Sequence, residues 1–115
     1  MSLNQRPQPK IVVVVPESAA NKELVAFLDE RGFEVMWARA GQAAYDIFDS
    51  EPVDGLICDL HEERIDGLRL VQVARQRNPE ICAIVLARAD ELELGTEAMR
   101  QGAYDFQVRP ANLVK

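Results

Sequence analysis

The run Lys10-Ile11-Val12-Val13-Val14-Val15 is apolar and β-branched after its first residue and stops at Pro16. A short, unbroken apolar run of this kind fits a strand buried on both faces, the habit of parallel sheets. Ser18 then offers an N-cap side chain. Ala20, Leu24, Phe27 and Leu28 recur at helical spacing and predict one buried helix face, ended by Gly32. The alternation continues along the chain. Residues 33–37 predict a short strand, and 42–50 a helix with Ala44, Ile47 and Phe48 inward. Residues 53–58 predict a strand running into Asp59, and 68–78 a helix stopped by Pro79. Residues 81–86 predict a strand, 91–101 a helix ended by Gly102, and 104–108 a last strand closed by Arg109-Pro110.

Strands alternating with helices at this rhythm imply right-handed crossovers and an α/β domain with a parallel sheet covered on both faces. In such sheets the chemistry gathers outside the carboxyl ends of the strands. That singles out Val15-Pro16-Glu17, Asp59, Ala87-Arg88 and Arg109-Pro110. Residues 1–9, with Pro7 and Pro9, read as a flexible leader before a domain at 10–115. Asn112 is placed to cap a further helix whose first turn is Leu113-Val114-Lys115. The domain is therefore expected to stop at the start of its last helix, which is truncated or absent, so part of one sheet face lacks cover.

Composition narrows the possibilities. The 115 residues suit one domain, and 48% apolar with 28% charged residues is an ordinary globular balance. A net charge of -6 argues against direct nucleic-acid binding, which needs clustered Lys and Arg. No apolar run approaches the ~20 residues that span a bilayer, and the polar first ten residues do not form a signal peptide. A cytoplasmic protein without membrane contact is expected. Cys58 and Cys82 lie in apolar segments and read as reduced core thiols, with no ligand spacing around them. His61, the single histidine, reads as a solvated loop residue, and Glu91, Glu93 and Glu97 as a wet helix face or an interaction surface.

Two stretches carry a family resemblance. Val53-Asp54-Gly55-Leu56-Ile57-Cys58-Asp59-Leu60, followed by Ile65-Asp66-Gly67-Leu68, resembles the segment of two-component receiver domains in which an acceptor aspartate ends the third strand. Ala98-Met99-Arg100-Gln101-Gly102-Ala103-Tyr104-Asp105-Phe106, followed by Arg109-Pro110, is similar to their last helix–strand unit, especially in receivers attached to ATPase enhancer-binding transcription activators. The resemblance implies a flavodoxin-like, doubly wound, five-stranded parallel sheet in the order 2-1-3-4-5. It implies Asp59 as the phosphoacceptor and Phe106 as the aromatic switch. It also implies a histidine kinase or other signalling protein as input and an effector domain as output, with a homodimer among the possible assemblies. The expected role is phosphorelay signal transduction in transcription regulation, not enzyme catalysis.

The same resemblance exposes departures. The two acidic positions that help the family hold Mg²⁺ fall on Val15 and Pro16, and Glu17 lies one position further on. The hydroxyl position after the fourth strand is Ala87, the lysine position is Arg109, and a loop proline is replaced by Glu63. Arg keeps the charge of Lys but presents a planar fork instead of a point charge. The expectation is weakened or absent Mg²⁺-dependent phosphorylation, with Arg109 paired to Asp59 and no cofactor. A conventional, phosphorylated Asp59 that uses Mg²⁺ is the alternative. A flavodoxin-like small-molecule binder is a more distant one, because Pro16-Glu17-Ser18-Ala19-Ala20 has no glycines and Glu17 repels phosphate. Asp59-Leu60-His61 also echoes a cobalamin-binding signature, which fails at Arg64.

Overall fold

Alternation within one strand divides the core into two layers. Val12 and Val14 of β1 (Lys10–Val14) turn to one face of the sheet, and Ile11, Val13 and the following Val15 to the other. Each fully buried valine contributes ~1.5–3 kcal/mol. The structure, a computed structural model, describes residues 8–109. The rest of the chain is α1 (Ala19–Glu30), β2 (Glu34–Ala38), α2 (Gly41–Ser50), β3 (Gly55–Asp59), β4 (His61–Glu62), β5 (Ile65–Asp66), α3 (Gly67–Arg77), β6 (Cys82–Ala87), a 3-10 turn (Ala89–Glu91), α4 (Leu92–Arg100) and β7 (Asp105–Val108). The expected last helix from Asn112 and leader residues 1–7 lie outside the described residues. The carbonyl of Pro9 accepts from the Glu34 amide at 2.8 Å, which ties the end of the leader to β2.

The main sheet is parallel, with strands ordered β2-β1-β3-β6-β7. Counted without the small hairpin, this is the 2-1-3-4-5 order that the resemblance implies. On one face Ala44 and Phe48 of α2, Leu70, Val71 and Ala74 of α3, and Ala98 of α4 pack over Leu56, Cys58 and Val85. On the other, Leu24 and Leu28 of α1 cover Val13, Val15 and Leu86. Element ends fall within one or two residues of those expected, the usual precision at frayed termini.

Three features depart from the expectation. Ala20 is exposed, and Asn21 takes the inward position with Leu24 and Leu28, because positions 21, 24 and 28 share a helical face. Cys82 is exposed, whereas Cys58 is buried. Cys82, Ile84 and Leu86 share a face of β6, and burial grows from exposed Cys82 to buried Leu86, toward the end that α1 covers. The third feature is the antiparallel β4–β5 hairpin directly after Asp59, which turns through Arg64 at φ 67°. Left-handed backbone is costly for a non-glycine residue; the Arg64 carbonyl accepts from the Gly41 amide at 2.8 Å, and this helps hold the turn.

Candidate functional site

Asp59 is the last residue of β3, paired in register with Leu86 of β6. A Cβ on Gly67, at the start of α3, would lie 2.6 Å from the Asp59 carbonyl and 2.7 Å from Leu60 Cα. Only glycine lets α3 begin this close to the end of β3. Asp59 is 4% exposed, one of two buried polar residues in the described core; the other is Asn21.

Arg109 reaches this carboxylate from the end of β7. Its main-chain amide donates to the Ala87 carbonyl at 2.7 Å, continuing the β6–β7 pairing by one residue. Its Nε donates to Asp59 Oδ1 at 2.8 Å, and Nη2 lies 2.8 Å from the same oxygen. Nη2 also donates to Asn21 Oδ1 at 3.0 Å, while Asn21 Nδ2 donates to the Pro16 carbonyl at 2.7 Å. The N-cap hydroxyl of Ser18 accepts from the Asn21 amide at 3.0 Å and sets the start of α1. A continuous chain of hydrogen bonds therefore runs from Pro16 through Asn21 and Arg109 to Asp59.

Burial pushes the Asp59 carboxyl above its ordinary range. Arg109 pulls in the opposite direction without fully offsetting that cost, and Glu62 and Glu91 add a smaller upward push. Neighbouring Cys58 is fully buried, and burial first, then Asp59, holds its thiol far above the usual range, so it is an inert core residue.

The resemblance implies Mg²⁺ beside Asp59, but the oxygen donors here do not suit it. Mg²⁺ asks for near-octahedral oxygen ligands. The Val15 and Pro16 side chains carry none, and their carbonyls are engaged, Val15 by Trp37 Nε1 at 2.9 Å and Pro16 by Asn21. Glu17 turns to Lys22 at 3.5 Å and Arg39 at 3.4 Å. Arg39 in turn lies over the Trp37 ring, 4.2 Å from its centroid. Among the described residues no three His, Cys, Asp or Glu side chains gather as a metal site.

Of the residues singled out by sequence, Asp59 and Arg109 meet directly, and Ala87 joins them through its carbonyl alone. The Ala87 methyl is fully buried and cannot donate a hydrogen bond. Phe106 packs half-buried on the core layer under α4, and a Cβ on Gly95 would come within 3.0 Å of its ring. His61 and Glu63 are exposed on the hairpin. Pro110 lies outside the described residues. Asn21 was missed, although a signal existed: a polar residue at positions 21, 24 and 28 of an apolar face must find partners there.

A profile of the response regulator receiver domain matches residues 11–115. The chain is 28% identical over 107 residues to an NtrX-like response regulator of Rickettsia felis, covering 91% of this chain and 22% of that protein. It is 26% identical over 104 residues to the regulatory protein AtoC of Escherichia coli, covering 90% and 23%. The chain thus spans under a quarter of the length of these relatives. Among solved structures, a Burkholderia pseudomallei response regulator with a phosphorylated aspartic acid, calcium ion and citrate superposes with a TM-score of 0.81 at 23% identity, over 91% of this chain and 62% of that one. The beryllofluoride-activated NtrC4 receiver domain dimer superposes with a TM-score of 0.80 at 21% identity, over 90% and 85%. At these identities the superpositions establish the fold alone.

Proposed function

This chain belongs to the response regulator receiver domain family, and from that premise we propose that it signals with Mg²⁺-dependent phosphorylation of Asp59 weak or absent. It is a receiver domain of two-component signalling, related to transcriptional regulators. The proposed output is contact with, or dimerisation beside, a transcriptional effector elsewhere in a longer cytoplasmic protein. A histidine kinase or another signalling protein is the proposed input. No catalytic turnover and no nucleic-acid contact are assigned to this domain, in keeping with its net charge of -6. Among the described residues no helix is long and apolar enough to cross a membrane.

The observation that carries this reading is the pairing of Arg109 with Asp59 Oδ1, braced by Asn21. Phosphoryl transfer to a carboxylate relies on positioning and on cations that neutralise the incoming oxygens. Here the adjacent cation is already joined to the acceptor by a charge-assisted bond, and the hydroxyl position is a methyl. The pair favours one fixed conformation instead of a phosphorylation switch.

The conventional reading, with Asp59 phosphorylated by a histidine kinase, rests on the placement of Asp59 at the carboxyl end of β3. Incubation with acetyl phosphate, and separately with beryllofluoride and Mg²⁺, decides between them. The expected result is no adduct by intact-mass measurement and no shift of the Asp59 neighbourhood in NMR spectra. A stoichiometric mass gain that disappears in Asp59→Asn overturns the proposal.

A further inference from the structure

Arg88 follows β6, and its guanidinium stands among three carboxylates. Nη1 lies 3.1 Å from Glu62 Oε2, Nη2 3.0 Å from Glu91 Oε2, and Nε 3.5 Å from Asp90 Oδ1. Nη1 also donates to the His61 carbonyl at 3.4 Å. His61 and Glu62 form β4, the first arm of the hairpin that follows Asp59, whereas Asp90 and Glu91 belong to the 3-10 turn that leads into α4. Glu91 is the anchor. Its side chain is 10% exposed, and its Oε1 accepts the Arg88 main-chain amide at 2.8 Å.

A single exposed ion pair contributes little to stability. This is a network instead, with one member largely withdrawn from water. Without Arg88, Glu62, Asp90 and Glu91 are like charges facing one another across the gap between two loops, and their repulsion is no longer offset. The planar fork of arginine allows several acceptors to be held at once, which a lysine ammonium does less well.

We propose that Arg88 is an ionic latch joining the β4–β5 hairpin to the entry of α4, so that the two segments open and close together. The latch stands independently of whether Asp59 accepts a phosphoryl group. It gives the domain a second point of control, because the start of α4 carries the exposed Leu92 and its presentation follows the state of the hairpin.

Residue-resolved amide hydrogen exchange on the 115-residue chain tests this. In Arg88→Ala, exchange is expected to quicken severalfold at residues 61–66 and at 89–92 together, with β1 and β3 unchanged. Glu62→Gln is expected to quicken the same two segments, and Arg88→Lys to give an intermediate effect. Raising salt from about 20 mM to about 1 M, which shortens the screening length to about 3 Å, moves the wild type in the same direction. No change in Arg88→Ala, a change confined to one segment, or a Glu62→Gln effect that stops at the hairpin overturns the latch. None of these outcomes alters the acetyl phosphate result, so the two proposals fail separately.

Discussion

Asn21 and Arg109 stand 88 positions apart in the chain and meet at 3.0 Å, the asparagine oxygen accepting from Nη2 of the arginine. The contact joins the start of α1 to the end of β7, across the carboxyl end of the sheet. It also divides the work of the guanidinium. Nε serves Asp59, and Nη2 bridges Asp59 and Asn21. An arginine held at two places by its planar fork has little freedom to leave the carboxylate.

Asn21→Ala removes one acceptor from Arg109 and the donor that satisfies the Pro16 carbonyl. Deleting a partner of a buried hydrogen bond costs about 1–3 kcal/mol. The urea midpoint is expected to fall, with the slope of the transition unchanged. The Arg109 Nε–H resonance is expected to exchange faster with solvent. An unaltered Arg109 signal would show that Asn21 does not brace the pair.

Arg109→Ala leaves the Asp59 carboxylate buried without its cation. Because Arg109 itself is 26% exposed, the loss is expected at about 1–3 kcal/mol, below that of a fully buried pair. Arg109→Lys keeps one charge but cannot span Asp59 and Asn21 with the same geometry, and it is expected to fall between wild type and the alanine variant. Equal stability of the lysine variant and wild type would argue that charge alone matters. Chemical denaturation at neutral pH provides the comparison.

The pH dependence of stability follows from the raised carboxyl of Asp59. A group whose folded-state pKa lies above its unfolded value binds more protons when folded. Its contribution is present in full below the ordinary carboxylate value of about 4 and is lost as pH rises through the higher folded value. The stability of the wild type relative to Asp59→Asn is therefore expected to decline from acid toward neutral pH. Paired urea titrations across that window measure the difference. A difference that grows in favour of the wild type with rising pH contradicts the assignment of burial as the dominant effect.

Gly67→Ala forces a methyl to within 2.6 Å of the Asp59 carbonyl. Backbone has to move, and overpacking of this kind costs about 1–3 kcal/mol. The first turn of α3 and the hairpin before it are expected to lose amide protection ahead of the rest of the sheet. Hydrogen exchange with preserved protection at residues 65–70 would show that the chain accommodates the methyl elsewhere.

Local patterns in the chain determined much of this protein. The apolar runs, the helical spacing of Leu24 and Leu28, the Ser18 cap and Gly32 act over a few residues, so they mark strands, helices and their ends. Their alternation dictates parallel crossovers and so places Asp59, Ala87 and Arg109 at one end of a sheet. Tertiary structure decided what braces the expected pair of Asp59 and Arg109. It buried Asn21 instead of Ala20, turned Glu17 toward Lys22 and Arg39, left Cys82 exposed, and stood Arg88 between two loops. Those outcomes depend on how segments dozens of residues apart approach and on which polar groups are then cut off from water. Periodicity carries no record of that approach, so the family resemblance anticipates the pairing of Arg109 with Asp59, whereas the brace from Asn21 becomes visible only once the chain is folded.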